Sequence, residues 1–179
     1  MRWSAGVLPL LTVFIAPALA TAQDRGALIE NAVSAAPSEV SGEATVVGLD
    51  QTVLREGSNG WVCMPDDPDR PGDSPMCLDG SWLEWAGAWM SGAEAPPAVE
   101  RVGIGYMLQG DFPASNVDPF ATGPDAGNEW MTDGAPHIML LVPREADLEG
   151  LPTMPGSGPW VMWRDTPYVH LMIPIENQP

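Results

Sequence analysis

Apolar positions along the chain fall into two kinds of pattern. Short runs with a period near two occur at Glu43 to Leu49 (EATVVGL), Thr52 to Arg55 (TVLR), Trp61 to Met64 (WVCM), Val102 to Gln109 (VGIGYMLQ), His137 to Val142 (HIMLLV), Trp160 to Trp163, and Val169 to Ile175 (VHLMIPI). Gly, Pro, Asn and Asp bound them, which marks them as strands. The first three read as an antiparallel meander, with Asp50-Gln51 and Gly57-Ser58-Asn59-Gly60 as its turns. In the fourth, Gly103 and Gly105 suggest a bulge or a close approach of another backbone.

Helical spacing is clearest between Gly80 and Met90. Ser81 and Glu84 fit a capping box, and Trp82, Trp85 and Trp89 fall on one face of the helix that follows. A weaker helical pattern, Leu28, Ile29, Val33 and Ala36, ends at Pro37. A flexible lead segment is the alternative there. A short acidic helical turn is expected near Ala146 to Leu151. Strands without regular βαβ alternation indicate an α+β fold. The expectation is a mainly antiparallel sheet of about six strands, with one tryptophan-rich helix tied on by a disulfide.

Residues Gly110 to Ala135 are mostly turn-formers, a length at which loops tend to be functional or disordered. Phe112, Phe120 and Trp130 are costly to leave in water, so this loop is expected to fold against the body.

The N-terminus changes the picture. Arg2, the apolar run Gly6 to Pro17 and the Ala-x-Ala patterns ending at Ala20 and Ala22 read as a secretory leader. The apolar run is short of the about 20 residues a membrane span needs. The organisation expected is a signal peptide over 1–22, a helical or flexible lead over 23–40, and a single α+β domain over 41–179. Localisation is then periplasmic or secreted, and in such a compartment Cys63 and Cys77, the two cysteines of the chain, pair. The ring they close lies between the third strand and the tryptophan helix.

The chain carries 24 acidic and seven basic residues, a formal net charge of −17, and no lysine. That balance excludes nucleic acid and anionic membrane as partners, since both need basic patches. A small molecule or a metal ion remains as ligand.

The sharpest candidate chemistry is a repeated H-x-M. His137 and Met139, and His170 and Met172, each share one face of a strand. Neighbouring strands with those faces aligned would bring two imidazoles and two thioethers together, a donor set suited to copper, Cu(I) in particular. Met162 would join if its strand lay alongside. Core methionines and hydrogen-bonded structural histidines explain the same residues without a metal. A calcium reading of Asp67 to Asp73 starts like an EF-hand loop, but Pro71 and Leu78 occupy positions five and twelve, where ligands belong. Asp66 and Asp79 lie nearby, and Asp125, Asn128 and Glu129 form a similar weak cluster.

No catalytic motif is marked, so no catalytic residue is assigned. A hydrolase with His137 or His170 as general base stays open, as geometry and not sequence order defines such sites. Trp61, Trp130, Trp160, Trp163, Tyr106 and Tyr168, with Gln109, Asn116 and Asp118, would also suit a groove for sugars or apolar molecules. The leading class is therefore non-enzymatic binding or an envelope-structural role.

The phrases REGSNGWVCMPDDP, MCLD, GYMLQGD, SNVDP, PHIML and TPYVHLMIP resemble a family of small exported bacterial proteins of uncharacterised function. The resemblance spans Val47 to Ile175 and brings no activity, cofactor or site residue with it.

Overall fold

The computed structural model describes residues 18–125, 127–132 and 134–175. Most of the expected leader, residues 1–17, lies outside the described residues. In chain order the elements are α1 (Ala18–Val33), α2 (Ser38–Ser41), β1 (Thr45–Val47), β2 (Val53–Arg55), β3 (Val62–Met64), β4 (Met76–Leu78) and α3 (Gly80–Met90). They continue with β5 (Gly103–Met107), β6 (Ala114–Ser115), β7 (Trp130–Met131), β8 (His137–Leu141), a 3-10 turn (Glu145–Leu148), β9 (Trp160–Met162) and β10 (His170–Pro174). No helix among the described residues is long and apolar enough to cross a membrane.

The α+β class holds, while the strand count and the pairing need correction. Eight strands form one mixed sheet in the order β2-β1-β3-β4-β5-β8-β10-β9, and β6 and β7 form a separate ribbon. The undercount has a local cause, because β4, β6 and β7 are two or three residues long and leave no readable period. The expected meander is also wrong in one pairing. β1 and β2 are antiparallel, but β3 runs parallel to β1 on its other edge.

Gly57 is the reason. The chain leaving β2 crosses the start of β1, where Ser58 N donates to Glu43 O at 2.8 Å and Gly57 N to Thr45 Oγ1 at 3.1 Å. A β-carbon at Gly57 would overlap Thr45 N, Ala44 C and Glu43 O, all backbone, so only glycine passes there.

Cys63 and Cys77 are disulfide-bonded and directly opposite in the β3–β4 register. The bond therefore staples a hairpin, and α3 follows its second strand. On one sheet face the disulfide, Val46 and Ala44 pack under Ala32 at the end of α1 and Ala35 and Ala36 just after it. The lead segment is built into the body at that point.

The opposite face carries the larger core, in which Leu78, Met107, Met139, Leu141, Met162 and Met172 meet Trp82 and Trp85 of α3. Gly103 and Gly105 let α3 sit this close. A β-carbon at Gly105 would lie 2.9 Å from Met139 Cε and 3.0 Å from Leu78 Cδ2, and one at Gly103 would lie 3.2 Å from Trp82 Cδ1. Register runs unbroken from Gly103↔Leu141 to Met107↔His137, so the glycines make no bulge, and what comes close to them is side chains and not the expected second backbone.

Candidate functional site

Helix α3 roofs a small apolar chamber. Its N-cap is Asp79, two residues before the expected Ser81. Asp79 Oδ1 accepts from Trp82 N at 3.0 Å, and Oδ2 accepts from Ile104 N of β5 at 2.8 Å. One carboxylate thus starts the helix and fastens it to the sheet, a link that a capping box read from local spacing does not contain. Trp82 and Trp85 are buried and Trp89 is half-buried, as their shared face requires.

The chamber has a volume of about 70 Å³. Five of the chain's ten methionines line it: Met76, Met107, Met139, Met162 and Met172. Its indole walls are Trp82, Trp85, Trp89 and Trp163, and its titratable side chains are His170 and Asp111.

The two H-x-M strands are neighbours and their buried faces coincide. Their direction decides which side chains meet. β8 and β10 are antiparallel with Met172 opposite Met139 and Pro174 opposite His137. On the other side of β10, β9 places Met162 opposite His170 and Trp160 opposite Met172. Met139, Met172, Met162 and His170 therefore form one contiguous patch. The His137 backbone sits four residues along the strand direction from the level of His170, about 13 Å at strand rise, although its ring is near enough to add to the lowering of the His170 pKa.

Both imidazoles are buried, 2% exposed for His137 and 3% for His170. His170 Nδ1 contacts Tyr168 O at 3.0 Å, which fixes that nitrogen as the donor and leaves Nε2 with its lone pair. Burial holds the ring's pKa down to about 4, so it is neutral at pH 7. Three indoles surround it: Trp82, Trp85 and Trp163 at centroid distances of 5.5, 5.4 and 5.0 Å, all near perpendicular.

His137 belongs to a different arrangement. Its Nδ1 contacts Ala135 O at 2.8 Å, while Nε2 has no hydrogen-bond partner and lies 3.8 Å from Asp111 Oδ2. That distance is too long for a hydrogen bond. Burial raises the Asp111 pKa and the nearby His137 pulls it back. Neither histidine has a Ser or Thr hydroxyl among its hydrogen-bond partners in the described residues.

Beside the chamber lies an open cleft of about 810 Å³. Met76, Ala86, Trp89, Phe112, Ala114 and Trp163 border both, so they form the neck between them. Trp163 has φ of 54°, a left-handed conformation that is a genuine outlier for so bulky a residue. Two bonds hold it there, from Nε1 to Ser115 O at 2.7 Å and from N to Asn116 O at 2.9 Å. It stacks on Trp85 with planes 5° apart. Strain of this kind collects at functional sites.

The long loop supplies the cleft's outer wall. Besides the Trp163 bond, Trp89 Nε1 donates to Pro119 O at 2.8 Å and Trp160 Nε1 to Asn116 Oδ1 at 3.2 Å. Asn116 is itself buried and donates to Glu129 and Thr153. Arg70 from the disulfide loop lies over the Phe112 ring, 4.2 Å from its centroid.

Of the aromatic candidates, Trp130 and Trp163 line the cleft and Trp160 and Tyr168 pack behind it, whereas Trp61 and Tyr106 pair on the other sheet face. Gln109 bonds Ser34 O away from the site. The aspartate-rich loop is internally bonded, with Asp66 accepting from Ser74 and Asp67 from Asp69 N. Among the described residues no three His, Cys, Asp or Glu side chains gather into a cation-binding group. Asp125 and Asn128 likewise close their own turn.

Met76, Met107, Asp111 and Ala114 are the site residues that sequence reasoning missed. The period-two pattern already puts Met107 on the face of Gly103 and Gly105, and that signal would have found it. No family model matches this sequence, and comparisons with curated proteins and with solved structures give no match.

Proposed function

We propose that this is an exported, non-enzymatic binding protein with two connected binding spaces, the cleft for an organic ligand and, opening from it, the small chamber under α3. The observation that carries this reading is the joining of a wide, mainly apolar cleft to a small methionine- and indole-lined chamber through a neck walled by the strained Trp163. Binding sites are typically apolar concavities of 300–1,000 Å³ with a few placed polar groups, and the cleft falls in that range. Export is supported by the leader pattern, the Cys63–Cys77 bond and the acidic, lysine-free composition. Burial of both histidines, with no hydroxyl nucleophile bonded to either, favours binding over a hydrolase with a histidine base.

Titration of the purified protein with Nile red, followed by dye emission and by quenching of tryptophan emission, tests the reading. One saturable site is expected, weakened about tenfold or more by Ala114→Phe, which fills the neck by more than the one-methylene discrimination typical of apolar pockets. Non-saturable binding, or binding indifferent to Ala114→Phe in a folded variant, would refute it.

A further inference from the structure

We propose that the chamber is a Cu(I) site with His170 Nε2 and the thioethers of Met139, Met162 and Met172 as its donors, His137 taking no part. This rests on the reading of the chamber as the binding site and names its ligand.

Size comes first. A cavity of about 150 Å³ holds benzene, and this one has about 70 Å³. An organic ligand of ordinary size fits the cleft but not the chamber, whereas a single ion fits the chamber.

Placement comes next. Residues directly opposite in antiparallel strands have β-carbons about 4.5–5.5 Å apart, and diagonal neighbours about 7–8 Å, within reach of long side chains. His170 faces Met162, Met172 faces Met139, and His170 and Met172 stand two apart on β10. All four line the same chamber. Flexible methionine stems can then close on one point above the His170–Met172 edge.

The donor chemistry selects the metal. One imidazole nitrogen with three thioethers is a soft, uncharged set, which favours Cu(I) and offers little to calcium, magnesium or manganese. His170 already has the outer-shell contact that ligating histidines use: its other ring nitrogen is held by the Tyr168 carbonyl, so Nε2 faces the site without a proton.

The single positive charge also has compensation. Asp111 is the acidic residue among those lining the chamber, with its Oδ2 3.8 Å from His137 Nε2. Indole rings surround His170, and a cation set against an indole face within about 6 Å of its centroid is attracted by it. Leucines would fill an ordinary core as well as methionines do. Met162 and Met172 are both at contact positions of the one chamber histidine, which packing alone does not require.

The test is an anaerobic competition of the purified protein with bicinchoninate for Cu(I), with native mass spectrometry to count ions and tryptophan emission to report on the indoles. One Cu(I) per chain is expected, with quenched emission. Met139→Leu/Met172→Leu and, separately, Met162→Leu should weaken binding about 100-fold or more, beyond the 10–100-fold typical of an outer-shell change. Leucine conserves volume, so the near-ultraviolet dichroism of these variants should match the wild type. Met131→Leu, outside the chamber, should change nothing.

X-ray absorption at the copper edge should show sulfur scatterers with one nitrogen. Absence of competition with bicinchoninate, or Cu(I) affinity unchanged in the folded methionine variants, would overturn the proposal. So would a loss in His137→Gln equal to that in His170→Gln. Saturable Nile red binding without Cu(I) binding would sink the metal and spare the cleft, while failure of both would remove the site.

Discussion

Asp79 offers the most direct test of how the chamber's roof is mounted. Its carboxylate accepts two backbone hydrogens, one from Trp82 at the start of α3 and one from Ile104 of β5, while its own N–H donates to Ile104 O at 3.2 Å. Loss of an aspartate N-cap costs about 1 kcal/mol. Leaving the half-buried Ile104 N–H without its acceptor adds about 1–3 kcal/mol. Asp79→Ala should therefore destabilise by roughly 2–4 kcal/mol, the sum of those two losses.

Asp79→Asn separates the contributions. Its amide oxygen still caps Trp82, but its NH₂ group cannot accept from Ile104, so about 1–3 kcal/mol should be lost. Guanidinium unfolding followed by tryptophan emission measures both, provided the slope with denaturant is unchanged. Each 1 kcal/mol should lower Tm by about 2–4 °C for a chain of this length. If Asp79→Ala falls within about 0.5 kcal/mol of the wild type, the usual range for neutral surface changes, the carboxylate does not hold α3 to the sheet. If Asp79→Asn costs as much as Asp79→Ala, the cap contributes nothing.

Two further outcomes follow from the same structure. Cys63→Ser/Cys77→Ser opens a link across 14 positions and should cost about 3 kcal/mol in a urea midpoint experiment; an unchanged midpoint would mean the hairpin stands on strand pairing alone. For the metal-free protein, His170 is held at about 4 against an ordinary 6.5, so the unfolded chain takes up that proton first as pH falls. Stability from this residue is complete above pH 6.5 and is lost between 6.5 and 4, roughly 3 kcal/mol in all at 1.36 kcal/mol per unit. Asp111, raised by burial, contributes with the opposite sign, so the slope is best read in Asp111→Asn. There, His170→Gln should flatten it, and a slope that survives would place the titration elsewhere.

The features legible in the sequence are local ones. A tryptophan at every third or fourth position fixes which face of α3 is buried, since side-chain direction follows directly from helical pitch. Alternation in HIMLL and HLMIP fixes that His and Met share a buried face, and the structure has the burial pattern that alternation requires. Two cysteines in one chain leave a single intramolecular pairing. Phe112 and Trp130 mark the loop as one that folds back and are half-buried there, because water is a poor place for those rings. Phe120, by contrast, stays 48% exposed with its ring only edge-on to Tyr168.

Pairing and direction were decided only by tertiary structure. Nothing in TVLREGSNGWVC states that the chain crosses β1, because that depends on a backbone passing over Gly57. Asp79 became the cap because its second oxygen found a strand 25 residues away. The repeated H-x-M carries no arrow. Parallel strands in register would set histidine beside histidine, whereas the antiparallel pairing sets methionine opposite methionine and separates the two histidine positions by four residues along the sheet. One of them then meets Met162 on the next strand and the other meets Asp111. The period of a strand assigns each side chain to a face, but only the order and direction of its neighbours assign it a partner.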